Sequence, residues 1–128
     1  MFVNKSKIRS KIINLRKKNF GKNFQINLDK FFSFLKTKTK HKNLGGYYPS
    51  NYEINDIEIL EFLEKKNYKI SLPIVKKNNQ MNFFKWSKND PLKINKYGIP
   101  EPVSSKILYP DILLVPLVGY DNSLNRLG

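Results

Sequence analysis

Apolar residues recur at helical spacing in three stretches of the chain. The pattern predicts a first helix over 4–18, a second over 26–37 and a third over 56–66. Side chains three or four residues apart share one face of a helix, so each stretch presents an apolar stripe. The stripes are Ile8, Ile12 and Leu15; Ile26, Phe31, Phe34 and Leu35; and Ile57, Leu60, Phe62 and Leu63. The predicted N-terminal caps are Asn4 or Ser6, Asn27 or Asp29, and Asn55. The acids of the third helix, which we expect to face water, are Asp56, Glu58, Glu61 and Glu64.

Shorter apolar runs between turn signals predict the strands, which cover 44–48, 68–73, 80–86 and 112–115. The Asn78-Asn79 turn signal favours a hairpin over 70–86. The run at 112–115 carries no charge, which is typical of a strand buried on both faces. Prolines on each side of Glu101 predict a stiff extended loop over 90–102. Strands that alternate with helices favour an α/β sheet with helices packed over it, in a single domain over 1–128.

The net charge of +14 changes the picture because it is uneven. Residues 1–43 hold 13 Lys and Arg against one acid, whereas residues 44–128 hold 11 against nine. A basic half is a signal for nucleic-acid binding. However, the chain is rich in Lys, Asn and Ile and has no Ala, which is what an AT-rich genome encodes by default. A solvated helix face is therefore the favoured interpretation, and the positive field would attract any anionic ligand.

Composition excludes several classes of site. The chain has no cysteine, so disulfides and thiolate metal sites are ruled out. The single histidine, His41, lies between lysines in a charged linker over 36–42, where a zinc site or a His-based triad is not expected. No apolar stretch approaches the roughly 18 residues of a membrane span, and the amino terminus lacks an apolar signal region. These observations predict a soluble cytoplasmic protein with no membrane partner.

Cations at both ends of the chain are candidates for binding an anion. Lys5 and Arg9 lie four residues apart, one above the other near the start of the first helix. Such a pair can clamp a polyphosphate with the help of the helix N-terminus, and solvated charge is the alternative. Arg126 and Gly128 follow the terminal strand, where a guanidinium fork and close backbone approach suit an anion.

The segment between the 44–48 strand and the third helix offers groups for an aromatic ligand. Tyr47 and Tyr48 would line a flat ring, with ordinary packing as the alternative. Glu53 either accepts hydrogen bonds from helix amides or binds donors on a ligand. The chain has no internal repeat, no heptads, no phosphate-loop motif and no Ser/His/Asp set. The residues alone therefore indicate a basic α/β domain with an anion site at the carboxyl end of its sheet.

Eight short segments, taken in order, carry a family resemblance over nearly the whole chain. They are Lys5-Ser-Lys-Ile-Arg9, Tyr48 through Glu53-Ile54, Leu72-Pro73, Met81, Tyr97-Gly-Ile-Pro-Glu-Pro102, Val115-Pro116, Tyr120-Asp121 and Asn125-Arg126-Leu127-Gly128. Each segment is a weak signal alone, but the ordered set is specific. The chain resembles the 5-formyltetrahydrofolate cyclo-ligase (methenyltetrahydrofolate synthetase) family.

The resemblance implies ATP-dependent closure of 5-formyltetrahydrofolate to 5,10-methenyltetrahydrofolate, with release of ADP and phosphate and with Mg²⁺. Transfer of the γ-phosphoryl group to the formyl oxygen makes that oxygen a good leaving group, and N10 then attacks the activated carbon. This chemistry needs positioning and charge neutralisation rather than a protein nucleophile. The absence of cysteine and of a usable histidine is therefore no objection.

The resemblance also implies a set of site residues and a fold. Those for ATP are Lys5 and Arg9 on the phosphates and Arg126, Leu127 and Gly128 at the start of the nucleotide loop. Those for the folate are Tyr48 and Glu53, with Met81 and Tyr97 in the wall of the pterin pocket. The implied fold is a three-layer α/β/α sandwich with a mostly parallel sheet.

Two departures from the family pattern set further expectations. The family continues past Arg-Leu-Gly into a Gly-rich loop and a Mg²⁺-binding aspartate, whereas this sequence ends at Gly128. We therefore expect a sheet incomplete at its C-terminus, a metal ligand beyond Gly128, and a 128-residue chain that by itself is less stable and nearly inactive. Leu117 and Leu124 stand where the family commonly has glycine.

Two alternatives to the enzyme remain open. A small basic nucleic-acid-binding module would use residues 1–42 and would need exposed aromatics among its lysines. Phe31, Phe32 and Phe34 are better explained as core, so nucleic acid is not the expected partner. The second alternative is an inactive truncated remnant that keeps the fold of the family. For the enzyme we expect a monomer that acts on the folate and ATP.

Overall fold

The computed structural model describes residues 4–21 and 26–128. All three predicted helices are present within this part of the chain, and so are the predicted strands, with boundaries shifted by a few residues. In chain order the elements are α1 Lys5–Asn19, α2 Leu28–Lys38, β1 Asn43–Gly45, α3 Ile57–Lys65, β2 Lys69–Val75, β3 Met81–Lys85, β4 Leu92–Ile94, β5 Pro100–Pro102, β6 Ile112–Leu113, β7 Gly119–Tyr120 and β8 Arg126–Leu127.

The chain forms two compact units. The first, here called the helix-hairpin unit, contains α1, the turn at 49–54 and the segment 116–128. The second, the sheet unit, contains 26–48 and 55–115. The single domain expected over 1–128 stays a prediction.

The sheet unit is built on a four-stranded mixed sheet in the order β3-β2-β1-β6. Strand β1 pairs parallel with β2 on one side and with β6 on the other, and β2 pairs antiparallel with β3. The expected hairpin over 70–86 is confirmed by that last pairing. Its turn places Asn79 at φ 58°, a left-handed conformation that asparagine tolerates better than most residues. A mixed sheet with helices confirms the α/β class.

The core of the sheet unit lies between the sheet and helices α2 and α3. Leu44, in the central strand β1, is fully buried, with Ile70 and Ile112 as its register partners on the two neighbouring strands. The helices contribute apolar side chains at the predicted spacing. The buried cluster comprises Leu35, Leu44, Ile59, Leu60, Leu63, Tyr68, Ile70, Leu72 and Trp86.

Two side chains of this unit differ from the prediction in their exposure: one expected in the core is exposed, and one expected to face water is buried. Phe34 is 57% exposed, because Phe31, Phe32 and Leu35 occupy the face of α2 that packs on the core. Asp56 is only 1% exposed, although an acid at a helix start was expected to face water. Its carboxylate accepts a hydrogen bond from Tyr47 N at 3.0 Å, so it ties the end of the β1 segment to the start of α3.

The terminal apolar run is not a strand buried on both faces, and that prediction is wrong. Strand β6 is only two residues long, and among the described strands it pairs with β1 alone. Leu113 and Val115 are about half exposed, at 48% and 49%, while Ile112 and Leu114 are half-buried. Alternation of this kind is what an edge strand with one covered face produces.

The segment 90–102 contains a hairpin where a loop was expected. Strands β4 and β5 pair antiparallel, with Lys93 opposite Glu101. Pro100 and Pro102 are tolerated in β5 because a two-stranded sheet needs few of its N–H groups. The backbone is extended as predicted, but it is paired.

In the helix-hairpin unit, α1 begins as predicted. The side chain of Asn4 accepts a hydrogen bond from Lys7 N at 3.1 Å, so Asn4 rather than Ser6 caps the helix. No described residue of α1 is buried. Strands β7 and β8 form a second small hairpin, with Tyr120 opposite Arg126.

Candidate functional site

One face of α1 carries the first pair of predicted site residues. Lys5, Arg9, Ile12 and Arg16 are spaced four, three and four residues apart, which places them on a single stripe of the helix. Lys5 and Arg9 are exposed, whereas Ile12 and Arg16 are half-buried. The first turn of α1 contains no acidic residue, so its cations face the positive end of the helix dipole uncompensated. This arrangement favours a bound anion.

The segment 116–128 contacts the lower half of the same stripe. The Arg16 guanidinium donates hydrogen bonds to Leu117 O and, at 2.9 Å, to Val118 O. A Cβ atom added to Gly119 would lie 2.9 Å from Ile12 Cδ1, so the hairpin backbone packs directly on the helix. One helical face therefore carries Lys5 and Arg9 and also the hairpin that contains Arg126.

The predicted nucleotide residues at the chain end lie in this hairpin. Arg126 and Leu127 form β8, and the exposed Arg126 guanidinium donates to Pro116 O at 2.9 Å. Gly128 has φ 99°, and a Cβ atom there would lie 2.5 Å from Val118 Cγ2. Both the left-handed backbone and the close approach require glycine. The three residues are thus held in place by the hairpin itself.

The turn of the hairpin is organised by Asp121. Its carboxylate accepts hydrogen bonds from Ser123 N at 2.9 Å and from Asn125 N at 2.8 Å. The pKa of Asp121 is lowered, first by the side-chain amide of Asn125 and then by these backbone donors. Asp121 therefore caps its own turn, as expected for an Asx turn. Leu124 adopts φ 62° in the same turn, a left-handed conformation that glycine adopts without steric penalty.

Glu53 closes a tight turn in the helix-hairpin unit. Its Oε1 accepts from Ser50 N at 2.8 Å and from Ser50 Oγ at 3.0 Å, and Glu53 N donates to Ser50 O. Asn51 and Tyr52 between them have φ 49° and 60°, the strained left-handed conformation. Tyr52 stacks edge-on against Phe20, with ring centroids 5.4 Å apart. The carboxylate of Glu53 thus accepts from the backbone and hydroxyl of Ser50, which precedes it, and not from the first amides of α3 as one alternative expected.

The remaining predicted residues belong to the sheet unit. Tyr48 follows β1 and is half-buried, while Met81 begins β3 and is 52% exposed. Met81 pairs with Val75 at the carboxyl end of β2, which runs parallel to β1. Tyr48 and Met81 therefore lie toward the same end of the sheet, the end at which open α/β sheets bind ligands.

Tyr97 lies in the turn between β4 and β5, which form a separate two-stranded sheet. It is 56% exposed. The turn is held by Asn95, whose Oδ1 accepts from Tyr97 N at 2.9 Å and Ile99 N at 3.0 Å. The amide of Asn95 in turn donates to the buried carboxylate of Glu101 at 3.3 Å. Within the sheet unit, Tyr48 and Met81 are thus the two expected folate residues that lie toward the same end of the four-stranded sheet.

A shallow cleft of about 340 Å³ in the sheet unit contains none of the predicted site residues. It is therefore not evidence for the folate pocket. Its lining residues are Lys85, Trp86, Asp90, Pro91, Pro102, Val103 and Ser104.

Within residues 4–21 and 26–128, no group of three His, Asp or Glu side chains is arranged to hold a metal ion. No helix in that same part of the chain is long and apolar enough to cross a membrane.

Sequence reasoning missed Arg16 and Ser50. The signal for Arg16 was present, since it continues the four-three-four spacing of Lys5, Arg9 and Ile12. The signal for Ser50 was the short Ser-x-x-Glu spacing ahead of the third helix, which is typical of a self-closing turn.

Comparison with known proteins identifies the family. The family model described as the 5-formyltetrahydrofolate cyclo-ligase family matches residues 2–128, so the chain belongs to that family. The expected resemblance is confirmed.

One curated relative is the 5-formyltetrahydrofolate cyclo-ligase of Haemophilus influenzae, 31% identical over 94 residues. The alignment covers 68% of this chain and 50% of that protein, so the chain spans about half the length of this relative.

Two solved structures share the fold. The NMR structure of the Aquifex aeolicus 5,10-methenyltetrahydrofolate synthetase superposes with a TM-score of 0.73 at 28% identity, over 98% of this chain and 67% of that one. A 5,10-methenyltetrahydrofolate synthetase from Mycoplasma pneumoniae superposes with a TM-score of 0.64 at 20% identity, over 98% of this chain and 71% of that one. The second likeness supports the fold alone.

Proposed function

We propose that the chain carries the ATP-binding and folate-binding residues of an enzyme that closes 5-formyltetrahydrofolate to 5,10-methenyltetrahydrofolate, with ATP converted to ADP and phosphate. Family membership supports the reaction class. The observation that carries the proposal is the shared face of α1, where Lys5 and Arg9 continue the stripe on which the Arg126 hairpin packs.

In this proposal the helix-hairpin unit binds the phosphates of ATP. Lys5 and Arg9 supply positive charge at the start of α1, where helix amides also favour an anion. Lys5 lies seven residues before Ile12, so about 10 Å of helix separates it from the hairpin contact. That length suits a polyphosphate better than a single phosphate. Arg126 supplies a further guanidinium, and Gly128 permits close backbone approach.

In this reaction the residues would position the phosphates of ATP and neutralise their charge, and none of them would act as a nucleophile. Negative charge on the γ-phosphoryl group is spread over its oxygens during transfer, and fixed cations stabilise it. Mg²⁺ would enter with ATP and offset phosphate charge. The described residues offer no three-ligand acidic cluster for a resident ion, so no step is assigned to one.

The folate is assigned to Tyr48, Glu53, Met81 and Tyr97. Tyr48 and Met81 supply an aromatic ring and a polarisable thioether at one end of the sheet, which suits a flat pterin. Glu53 is oriented by Ser50 through Oε1, and a carboxylate held in this way can accept hydrogen bonds from the pterin N–H groups. Tyr97 is the least supported member of the set, because its turn belongs to the separate β4–β5 sheet.

The fold proposed for the complete family domain is a three-layer α/β/α sandwich with a mostly parallel sheet. Within the four-stranded sheet, two of the three strand pairings are parallel, which supports the mostly parallel sheet. The monomeric state and the cytoplasmic location stay predictions.

The test is the rate of methenyltetrahydrofolate formation, followed by absorbance. It is measured on the 128-residue chain and on a fusion that adds the remaining third of the Aquifex aeolicus synthetase; the added third alone is the control. We expect turnover in the fusion that requires ATP, and little or none in the 128-residue chain.

Site variants of the fusion sharpen the test. Glu53→Gln should raise KM for the folate and leave KM for ATP within about twofold, since it removes a carboxylate from the folate side only. Lys77→Ala, an exposed lysine outside the proposed site, is the matched control. A folded fusion that binds neither ATP nor 5-formyltetrahydrofolate would overturn the proposal.

A further inference from the structure

Arg16 has an unusual environment for a surface arginine. It lies on an exposed helix yet is half-buried, and its guanidinium bonds to two consecutive backbone carbonyls rather than to a carboxylate. Those carbonyls, on Leu117 and Val118, are just over 100 residues away in sequence. Both bonds are donated by one nitrogen, Nη2. A lysine at this position would fall short of the same contact, because its side chain is one atom shorter and its ammonium is a flexible, strongly hydrated point charge.

The backbone that Arg16 holds leads directly into the proposed phosphate-binding residues. Val118 N donates to Leu127 O at 2.9 Å, which makes the segment held by Arg16 one side of the β7–β8 hairpin. Arg126, on the other side, donates to Pro116 O, immediately before the carbonyls that Arg16 binds. The two arginines therefore donate hydrogen bonds to consecutive carbonyl groups of one short segment, 116–118.

A second contact fixes the hairpin against α1 one turn earlier. Gly119 leaves no room for a Cβ atom beside Ile12, four residues before Arg16 on the same stripe. The hairpin thus has two attachment points on the helical face that also presents Lys5 and Arg9. With both contacts in place, the hairpin can neither slide along α1 nor rotate about a single contact without breaking one of them.

We infer that Arg16 is a positioning residue for the proposed ATP site. It holds the Arg126 hairpin in register with the face of α1 that bears Lys5 and Arg9, so that cations from the two ends of the chain address one polyphosphate. This inference rests on the proposed function. A displacement of about 1 Å in groups that bind a reacting phosphoryl group is enough to lower the rate strongly, which gives Arg16 its effect without contact to ATP.

The first test addresses the attachment itself and needs no ligand. Amide hydrogen exchange is measured on the 128-residue chain for wild type, Arg16→Lys, Arg16→Ala and Lys18→Ala. Lys18 is an exposed cation on the opposite side of α1, so its removal matches the charge change without touching the hairpin. We expect faster exchange at 118–127 in both Arg16 variants, unchanged exchange at 69–75, and no change in Lys18→Ala. Unchanged exchange at 118–127 in Arg16→Ala would overturn the inference.

The second test separates positioning from general stability. In the fusion with the Aquifex aeolicus segment, Arg16→Lys should raise KM for ATP on the order of tenfold and leave KM for the folate within about twofold. An equal rise in both constants, or a loss of activity that tracks a lowered melting temperature, would make Arg16 merely structural and overturn the inference. If the wild-type fusion binds no ATP, the proposed function fails first. If it binds ATP and Arg16→Lys binds it equally well, only the positioning role fails.

Discussion

The two units of the chain differ in the contacts that stabilise each of them internally. The sheet unit buries nine side chains in one apolar cluster, with Leu44, Leu60 and Leu63 at 1% exposure or less. The described helix-hairpin unit contributes no residue to that cluster, and Leu15, Phe20 and Leu124 expose about half of their surface or more. Its contacts include hydrogen bonds donated by Arg16 and Arg126, hydrogen bonds accepted by the Asp121 carboxylate, and one ring pair.

This difference indicates that folding stability and the proposed ATP-binding residues belong to different units. Burial of apolar area supplies most of the free energy of folding, so the sheet unit is the stable part. All the residues assigned to ATP lie in the unit that lacks such a core. Groups that bind a mobile, highly charged ligand are commonly drawn from regions of lower local stability. We therefore expect substitutions in the sheet unit to have the largest effects on the free energy of unfolding. Substitutions in the helix-hairpin unit should have the largest effects on ATP affinity.

The largest effect on stability is expected from Leu60→Ala. The substitution leaves a cavity in a close-packed core and should lower the free energy of unfolding by about 2 to 5 kcal/mol. Urea denaturation followed by Trp86 fluorescence measures it, because Trp86 belongs to the same cluster. The matched control is Leu124→Ala, at a residue 78% exposed, which should stay within about 0.5 kcal/mol. Similar losses in both variants would remove the contrast between the units.

A smaller effect is expected from Gly46→Ala. The added Cβ would lie 2.7 Å from Leu60 Cδ1 and 2.9 Å from Asp56 Oδ2, and both neighbours are buried and cannot retreat. We expect a loss of about 1 to 3 kcal/mol in the free energy of unfolding. In Gly119→Ala the new atom meets only Ile12 Cδ1, the end of a half-exposed side chain, so the loss should be less. The reverse order in thermal or urea unfolding would contradict this account of the packing.

Leu124→Gly should stabilise the β7–β8 hairpin modestly. Leu124 adopts φ 62°, where glycine has no steric penalty, but glycine also loses more chain entropy on folding. The net gain should be at most about 1 kcal/mol. Amide exchange of Val118, whose N–H donates to Leu127 O, reports on it. Leu124→Ala keeps the Cβ atom and should give no gain; an equal gain in both variants would rule out the backbone explanation.

The smallest effect is a pH dependence confined to the same turn. The pKa of Asp121 lies below its ordinary value of 3.8, because Asn125 and backbone N–H groups hydrogen-bond its charged form. The stabilisation from a depressed pKa is fully present above 3.8 and is lost as the pH falls through the lower, folded value. Amide shifts of Ser123 and Asn125 in an NMR titration should report a midpoint below 3.8, and Asp121→Asn should abolish it. A midpoint at or above 3.8 would contradict the observed bonding.

The sequence predicted the longer elements of the fold better than the short strands and the exposure of individual side chains. Apolar periodicity located all three helices, and a turn signal located the 70–86 hairpin. In the sheet unit the pattern directly records which side chains of α2 and α3 are buried. It misplaced Phe34 and Asp56, since a stripe drawn from spacing alone cannot tell which edge of the stripe meets the core. The short strands β4, β5, β7 and β8 were not predicted, because two or three residues are too few to show a periodic signal.

The candidate site was reached by pattern and by motif together. Helical spacing and the place of Arg126 after the terminal strand made Lys5, Arg9 and Arg126 candidates for an anion site, and the ordered short segments linked them to ATP. The packing of the Arg126 hairpin on the face of α1 that bears Lys5 and Arg9 became visible only in the structure. The spacing places Arg16 on the same stripe, but its role could not be assigned from sequence, because its partners are backbone carbonyls near the far end of the chain, which have no residue identity to read.

The central claim is that the Lys5–Arg9 face of α1 binds the phosphates of ATP. It is tested most directly by the KM for ATP of the fusion enzyme in Arg9→Ala beside Lys11→Ala, which removes an exposed cation from the opposite side of the same helix. We predict that Arg9→Ala raises this constant about tenfold or more, as expected for a lost charge-assisted hydrogen bond, with the KM for the folate unchanged. Lys11→Ala should stay within about twofold of wild type. Equal constants in the two variants would contradict the claim.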